Sequence, residues 1–278
     1  MGGTRTVARN VLKVHFINVG QADSILIQQG KNAMLIDGGT IFNATTVVDY
    51  IKAQGITKLN YVVGTHLHDD HLGGLSSVIW NFKVGKVFLP RASYMIPELI
   101  AMRIAMFFQG LIPVYPALGQ TFPFGKATFT FLSKLGKYSS GMDQDTINNN
   151  SLVIKMKYGK NTFLFTADAS ELAEADMIAP GNGRDLRSDV MKIGHHGSST
   201  STTEPFLDAV NPRYAVLTAS NDMWSLLPAK VVMDRFQAKK IPIYRTDESG
   251  TIILTSDGEN IRFNCNPGSY KSRSYDYR

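Results

Sequence analysis

Four apolar runs in this chain each end in side chains that bind metals or move protons, and this recurrence constrains the fold more than any other feature. Met34-Leu35-Ile36 leads to Asp37, and residues 59–63 lead to His66-Leu67-His68-Asp69-Asp70-His71. Phe163-Leu164-Phe165 leads to Asp168, and residues 190–193 lead to Gly194-His195-His196. Short apolar runs bounded by turn residues read as buried strands. Chemistry held at corresponding strand ends points to a fold in which those ends meet.

The other elements follow from local pattern. Leu12, Val14 and Phe16 alternate with Lys13 and His15, predicting a half-buried strand. Residues 24–28 and 33–36 form a hairpin around Gly30-Lys31-Asn32, and residues 43–54 form a helix stopped by Gly55. Residues 97–108 read as a helix apolar nearly all round, for which burial is expected. Strands at 129–132, 151–157 and 162–166 precede a helix at 170–178. Strands at 190–193, 214–218, 241–244 and 251–255 then alternate with helices at 204–210 and 228–239. Strand clusters followed by helices, twice over, predict an α/β (α+β) chain of two stacked sheets with helices outside. One domain is expected over 12–262, after an N-terminal extension at 1–11 and before a tail at 263–278. The tail carries Lys271, Arg273 and Arg278 among Tyr270, Tyr275 and Tyr277. A frayed terminus is the first expectation there, and a track for a nucleic-acid strand the second.

Composition narrows the chemistry. With 44% hydrophobic and 19% charged residues, the chain is globular rather than disordered. Its single cysteine, Cys265, excludes an intrachain disulfide and a cysteine-rich zinc module, so histidines and carboxylates must hold any metal. The net charge of +6 suits an anionic partner such as a nucleic acid, and equally suits solubility alone. No apolar run approaches the ~20 residues of a membrane span. Nor does the polar start of the chain read as a signal peptide.

In an extended segment His66 and His68 point the same way and can grip one cation, while Asp70 and His71 from the following turn can grip another. Imidazole and carboxylate donors suit zinc, manganese or iron. Leu72-Gly73-Gly74-Leu75 lets the backbone turn closely into a helix. Asp168 is either a further ligand or the cap of the next helix, and Asp37 is expected to orient a ligand histidine. Ser198, Ser199 and Thr200 could donate hydrogen bonds to a phosphate or cap the helix after them.

As a set, H-x-H-x-D-H, the upstream Asp-Gly-Gly and the later strand-end Asp and His resemble the metallo-β-lactamase superfamily. The segments Asn18-Val19-Gly20-Gln21-Ala22-Asp23-Ser24, Asn149-Asn150-Ser151-Leu152-Val153, Lys192-Ile193-Gly194-His195-His196-Gly197-Ser198 and Tyr244-Arg245-Thr246-Asp247 are more narrowly similar to the hydrolase domain of ComEC-type competence proteins and their free-standing relatives. The resemblance runs over about residues 12–255. It implies a four-layer αβ/βα sandwich with a two-metal site on one edge, filled by zinc or manganese. His66 and His68 would hold the first metal and Asp70 and His71 the second, with Asp168 bridging. One of His195 and His196 would complete the second site, with His196 favoured and His195 alongside. Asp70 and Asp168 would be the catalytic carboxylates, Asp168 orienting the attacking water.

Two positions depart from the family pattern. Where many members carry a mid-chain histidine for the first metal, this chain reads Thr146-Ile147-Asn148-Asn149-Asn150-Ser151. Asn149, Asn150 or a water is the expected substitute, leaving the first metal weakly held or manganese rather than zinc. Leu227 stands where relatives have a histidine placed to bind substrate phosphate or protonate the leaving group. The resemblance implies phosphodiester hydrolysis, foremost a nuclease acting on DNA during uptake, outside the cytoplasm or at the cell surface, with a membrane channel component as a further partner. Alternatives are a secreted phosphodiesterase acting on small or cell-wall phosphoesters, and a metal-stabilised DNA-binding module that has lost catalysis.

Overall fold

The structure, a computed structural model, describes residues 11–91, 94–133, 144–181, 184–223 and 225–273. The amino-terminal half supplies β1 (Leu12–Phe16), β2 (Ile25–Gln29), β3 (Asn32–Ile36), β4 (Lys58–Val63), β5 (Lys83–Phe88) and β6 (Pro113–Val114). Next come β7 (Thr121–Phe124), β8 (Ala127–Phe131), β9 (Ile154–Tyr158), β10 (Asn161–Phe165), β11 (Val190–Lys192), β12 (Tyr214–Leu217) and β13 (Ile243–Arg245). The last strands are β14 (Ile252–Ser256) and β15 (Ile261–Phe263). Among the described residues these form an eight-stranded sheet in the order β15-β14-β1-β2-β3-β4-β5-β6 and a seven-stranded sheet in the order β13-β12-β11-β10-β9-β8-β7.

Each sheet is antiparallel in one half and parallel in the other. The parallel runs are β3-β4-β5-β6 and β10-β11-β12-β13. In open sheets the carboxyl ends of parallel strands are where ligands bind. Here β3 ends before Asp37, β4 before His66, β10 before Asp168 and β11 before His195.

Period-two alternation builds the central layer. Val14, Phe16, Ile27, Met34 and Ile36 from the first sheet bury against Phe129, Phe131, Met156, Phe163 and Phe165 from the second. Rings of Phe122 and Phe129 stack there, with centroids 5.0 Å apart. On the outer side of the first sheet, Leu26, Leu35 and Val62 pack under α1 (Ala44–Ala53), α3 (Leu75–Asn81) and α4 (Pro97–Phe108). The short α2 (Asp69–Leu72) precedes α3, and α5 (Gln144–Asn149) precedes β9. Leu164, Met191 and Ala215 pack under α6 (Glu171–Ile178), α7 (Glu204–Val210) and α8 (Lys230–Ala238), and α9 (Thr246–Ser249) follows β13. The four layers are those of the αβ/βα sandwich that the resemblance implies.

Three local expectations change. The polar side of β1 is only half solvated: Lys13 is exposed, but His15 is buried beneath α1, 2.8 Å from the Tyr50 hydroxyl, and burial lowers its pKa to about 4. Helix α4 buries only Leu99, Met102, Ala105 and Met106, while Phe107 and Phe108 are 78% and 68% exposed. The helix lies on the outside of the sandwich, so neighbours reach only one of its sides. Finally, residues 264–273 are fastened rather than frayed. Arg245, almost fully buried, donates to both Asp247 carboxylate oxygens (3.0 and 2.8 Å) and to the carbonyls of Ser269 and Lys271 (3.1 and 2.6 Å). The Tyr270 hydroxyl donates to the Ile241 carbonyl at 2.9 Å. Tyr275, Tyr277 and Arg278 lie outside the described residues. Among the described residues no helix is long and apolar enough to cross a membrane.

Candidate metal centre

Two glycines let the β3 and β4 exits touch. A Cβ on Gly74 would sit 2.1 Å from the Gly38 carbonyl oxygen, and one on Gly73 would sit 2.4 Å from the Ile41 nitrogen. With only hydrogens there, the Gly38 amide donates to the His71 carbonyl (2.8 Å) and the Gly74 amide to the Gly39 carbonyl (3.0 Å). This places Asp37 Oδ2 2.7 Å from His71 Nδ1. Asp37 also accepts from the Thr65 amide (2.8 Å) and hydroxyl (2.7 Å). His71 therefore donates its Nδ1–H to a fixed carboxylate and turns Nε2 inward, the arrangement that orients a ligand histidine.

The second sheet contributes through strained turns. Ala167, His195 and His196 hold φ of 47°, 46° and 50°. This left-handed conformation costs non-glycine residues about 1–3 kcal/mol, and such costs cluster at functional sites. The His195 amide donates to the Ala167 carbonyl (3.0 Å), joining the exits of β10 and β11. His196 Nδ1 lies 3.0 Å from the Thr218 carbonyl, so its Nε2 faces the cluster.

Asp168 stands at the middle. Its carboxylate lies 3.8 Å from His66 Nε2, 3.3 Å from His71 Nε2 and 3.7 Å from His196 Nε2. Asp70 Oδ2 is 3.4 Å from His196 Nε2 and 3.9 Å from His71 Nε2. Asp70, His71, Asp168 and His196 can thus converge on one ion, and His66, His68 and Asp70 on another, sharing Asp70. His71 Nε2, His196 Nε2 and Asp168 Oδ1 are buried and make no hydrogen bond within the protein. Three unsatisfied buried donor and acceptor atoms facing one another are costly alone and are satisfied together by a cation. The residues present fit a divalent metal.

The electrostatics agree. Burial works against charge on Asp168, yet His71, His196 and His66 outweigh it and hold the carboxyl well below its usual range. Burial likewise opposes charge on His71 and His196, but the surrounding carboxylates, Asp168 first, raise both. Burial lowers His66 and His68, leaving neutral imidazoles suited to ligation.

His195 sits 3.8 Å from Asp168 Oδ2, is 25% exposed and lies outside both donor groups; its Nδ1 meets the Thr200 hydroxyl at 3.2 Å. Ser198 and Thr200 hydroxyls bond each other at 3.0 Å, and Ser199 is exposed. They do not cap α7, whose N-cap is Thr203. Asn149 and Asn150 do not fill the missing histidine position. Asn149 is spent on the Asp145 carbonyl (2.8 Å) and the Ala173 amide (3.0 Å), and Asn150 Nδ2 donates to the Thr146 carbonyl. The helical turn of α5 directs both side chains to backbone partners. Asn148 Oδ1 and Ser151 Oγ are instead buried without a hydrogen bond, and the Leu152 amide ties their turn to the Thr65 carbonyl beside His66.

Two residues of the centre escaped the sequence reading. Asp23 accepts from the Thr218 hydroxyl (2.6 Å), pairs with Lys192 Nζ (2.9 Å) and lies 3.9 Å from Nδ1 of both His71 and His196. Lys192 is fully buried, 3.8 Å from Asp168, and also donates to the carbonyls of Ala167 and Ile193. A lysine within the apolar run 190–193 was the visible signal.

The sequence model of the Metallo-beta-lactamase superfamily matches residues 17–220. The chain is 27% identical to ComE operon protein 3 of Bacillus subtilis (strain 168) over 86% of its length, covering 32% of that protein. It is 30% identical to Competence protein ComA of Neisseria gonorrhoeae over 88% of its length, again covering 32% of the relative. The chain therefore spans about a third of the curated relatives it matches. The metallo-beta-lactamase fold protein YhfI from Bacillus subtilis has a similar fold, with a TM-score of 0.57 at 12% identity, covering 88% of this chain and 99% of that one.

Proposed function

The chain belongs to the metallo-β-lactamase superfamily, a metal-dependent hydrolase by fold and donor set, and we propose that its reaction is phosphodiester hydrolysis with DNA as substrate. The observation that carries the proposal is the buried Asp168 carboxylate facing Nε2 of His66, His71 and His196, the last two without a hydrogen-bond partner. A divalent metal bound here supplies Lewis acidity, acidifying a water and offsetting charge on phosphorus. Asp70, His71, Asp168 and His196 would hold one ion; His66, His68 and Asp70 would hold a second, more weakly, because that group offers a donor fewer. Zinc and manganese both suit these nitrogen and oxygen donors. Asp37 fixes the His71 ring, and Lys192 with Asp23 props the opposite side. Asp168, held as a carboxylate by the surrounding histidines, would orient the attacking water. Thr200, through His195, borders the rim where a phosphate oxygen would sit.

The competence relatives and the net charge of +6 favour DNA in an uptake setting over small phosphoesters. Placement outside the cytoplasm and partnership with a channel component belong to the same proposal. A different reading, a metal-stabilised DNA-binding module, is favoured only by Leu227 standing where the family pattern has a histidine.

Elemental analysis followed by cleavage of plasmid and single-stranded DNA with manganese, zinc or magnesium tests the proposal. Cleavage should fall at least about a hundredfold in Asp168→Ala and His66→Ala. Undiminished cleavage in both variants sinks the mechanism, and DNA binding without cleavage under every metal favours the binding module.

A further inference from the structure

Among the described residues no helix covers the outer face of the second sheet where β8, β9 and β10 run together. Phe129, Met156 and Phe163 point into the inter-sheet layer, so their neighbours Thr128, Thr130, Lys155, Lys157 and Thr162 point outward. Register sets Thr128 opposite Lys157, Thr130 opposite Lys155, and Lys157 opposite Thr162. Helices α6–α8 cover Leu164, Met191 and Ala215, leaving these five residues as the floor of a groove of about 790 Å³. Lys160 at the β9–β10 turn, Arg184 and the carboxylate of Asp185 also line it, as do Leu118 and Leu132.

The groove is cationic. Among the described residues Lys157 has no hydrogen-bond or ion-pair partner and is exposed. Lys160 pairs with Glu259 at 2.9 Å, both well exposed. Exposed pairs of this kind contribute little and give way readily to a better anion. Lys155 meets Asp185 at 2.8 Å, and Arg184 donates Nη1 to the Asp176 carbonyl at 2.6 Å while its buried Nε has no hydrogen-bond partner. The lysines are two residues apart on one strand, about 6.8 Å, a spacing that suits successive phosphates of an extended chain. Thr128 and Thr130, opposite the lysines on β8, add hydroxyl donors for phosphate oxygens, whereas the Thr162 hydroxyl is already donated to Asp189 at 3.2 Å. Among the described residues no aromatic ring lines the groove, and its lysine and threonine side chains suit the phosphate backbone rather than the bases. Strand β10 leads from Thr162, on this floor, to Asp168 six residues later.

We propose that this groove binds the phosphate backbone of a nucleic acid and guides it, independently of base sequence, toward the metal centre. The proposal rests on the reading of a nucleic acid as substrate and adds a second contact surface to it. The probe is a single-stranded phosphorothioate oligodeoxynucleotide, which resists cleavage, followed by fluorescence anisotropy over a range of salt. The double variant Lys157→Glu, Lys160→Glu should bind it at least tenfold more weakly. The slope of log affinity against log salt should flatten by about 1.4, for two phosphate contacts at roughly 0.7 each. Thr128→Glu should weaken binding in the same direction, and Lys157→Arg should preserve it. Hydrolysis of bis(p-nitrophenyl) phosphate should be unchanged in every variant. Unchanged affinity and slope overturn the groove, and so does an equal loss on the small diester. Wild-type protein that binds the oligonucleotide through these lysines but hydrolyses neither unmodified DNA nor bis(p-nitrophenyl) phosphate leaves the groove standing and sinks the hydrolase reading instead.

Discussion

Asp168 and Lys192, both fully buried, show how charge is tolerated beneath the centre. Burial opposes the Lys192 ammonium, but Asp23 and Asp168 outweigh it and hold its pKa above the usual value. Removing one partner of a buried pair leaves the other uncompensated, a loss of about 3–5 kcal/mol. Lys192→Met should therefore cost that much in urea unfolding, because Asp23 keeps its charge among groups arranged to offset it. The double variant Lys192→Met, Asp23→Asn should recover much of the loss; no recovery would mean that Lys192 acts by packing alone. This pair was half legible in the sequence. A lysine inside an apolar run is visible there, but its partner, 169 positions upstream, is not.

Between elements, Glu174 ties α6 to the start of α7 by accepting the Thr203 amide at 2.8 Å and the Thr202 amide in a shorter contact. Burial raises its pKa from 4.5 to about 7, against those hydrogen bonds and Arg235. A carboxyl whose folded pKa is raised favours folding fully below the unfolded value and loses that contribution as pH climbs through the folded value. Between pH 4.5 and about 7 the loss should reach about 3 kcal/mol and then level off. Denaturant unfolding of wild type and Glu174→Gln across this range checks it: the difference between the two should change with pH in that window, and parallel curves would refute it. Helix α4 divides more simply. Met102→Ala should cost about 2–5 kcal/mol. Phe107→Ser, on the exposed side, should stay within about 0.5 kcal/mol by the same measurement. The apolar pattern of 97–108 identified the helix, but nothing local distinguishes its covered side from its open one. Likewise β5, β6, β15 and the short helices α2, α3, α5 and α9 have no strong period of their own, and β7, which does alternate with Phe122 and Phe124 inward, is only four residues long.

At the scale of the whole molecule, the donors come from both sheets: His66, His68, Asp70 and His71 follow β4, whereas Asp168 and His196 follow β10 and β11. A bound metal is thus a cross-link between the two halves. Zinc or manganese at a hundred times its Kd should stabilise the chain by about 2.7 kcal/mol, a chelator should reverse this, and Asp168→Ala should abolish most of it in a thermal melt. A melting temperature indifferent to metal would contradict the shared site.

What the sequence determined by itself is which residues stand at strand ends, since run length and alternation encode burial within a few neighbours. His66, Asp168 and the His195-His196 pair were recognisable on that ground. Tertiary structure alone decided that His196 faces the cluster while His195 lies at its rim, that Asn149 and Asn150 turn away to backbone partners, and that a cationic groove remains uncovered beside α6. These outcomes depend on contacts such as that between Thr218 and Asp23, 195 positions apart. No local pattern carries that information, because it exists only once the two sheets have stacked.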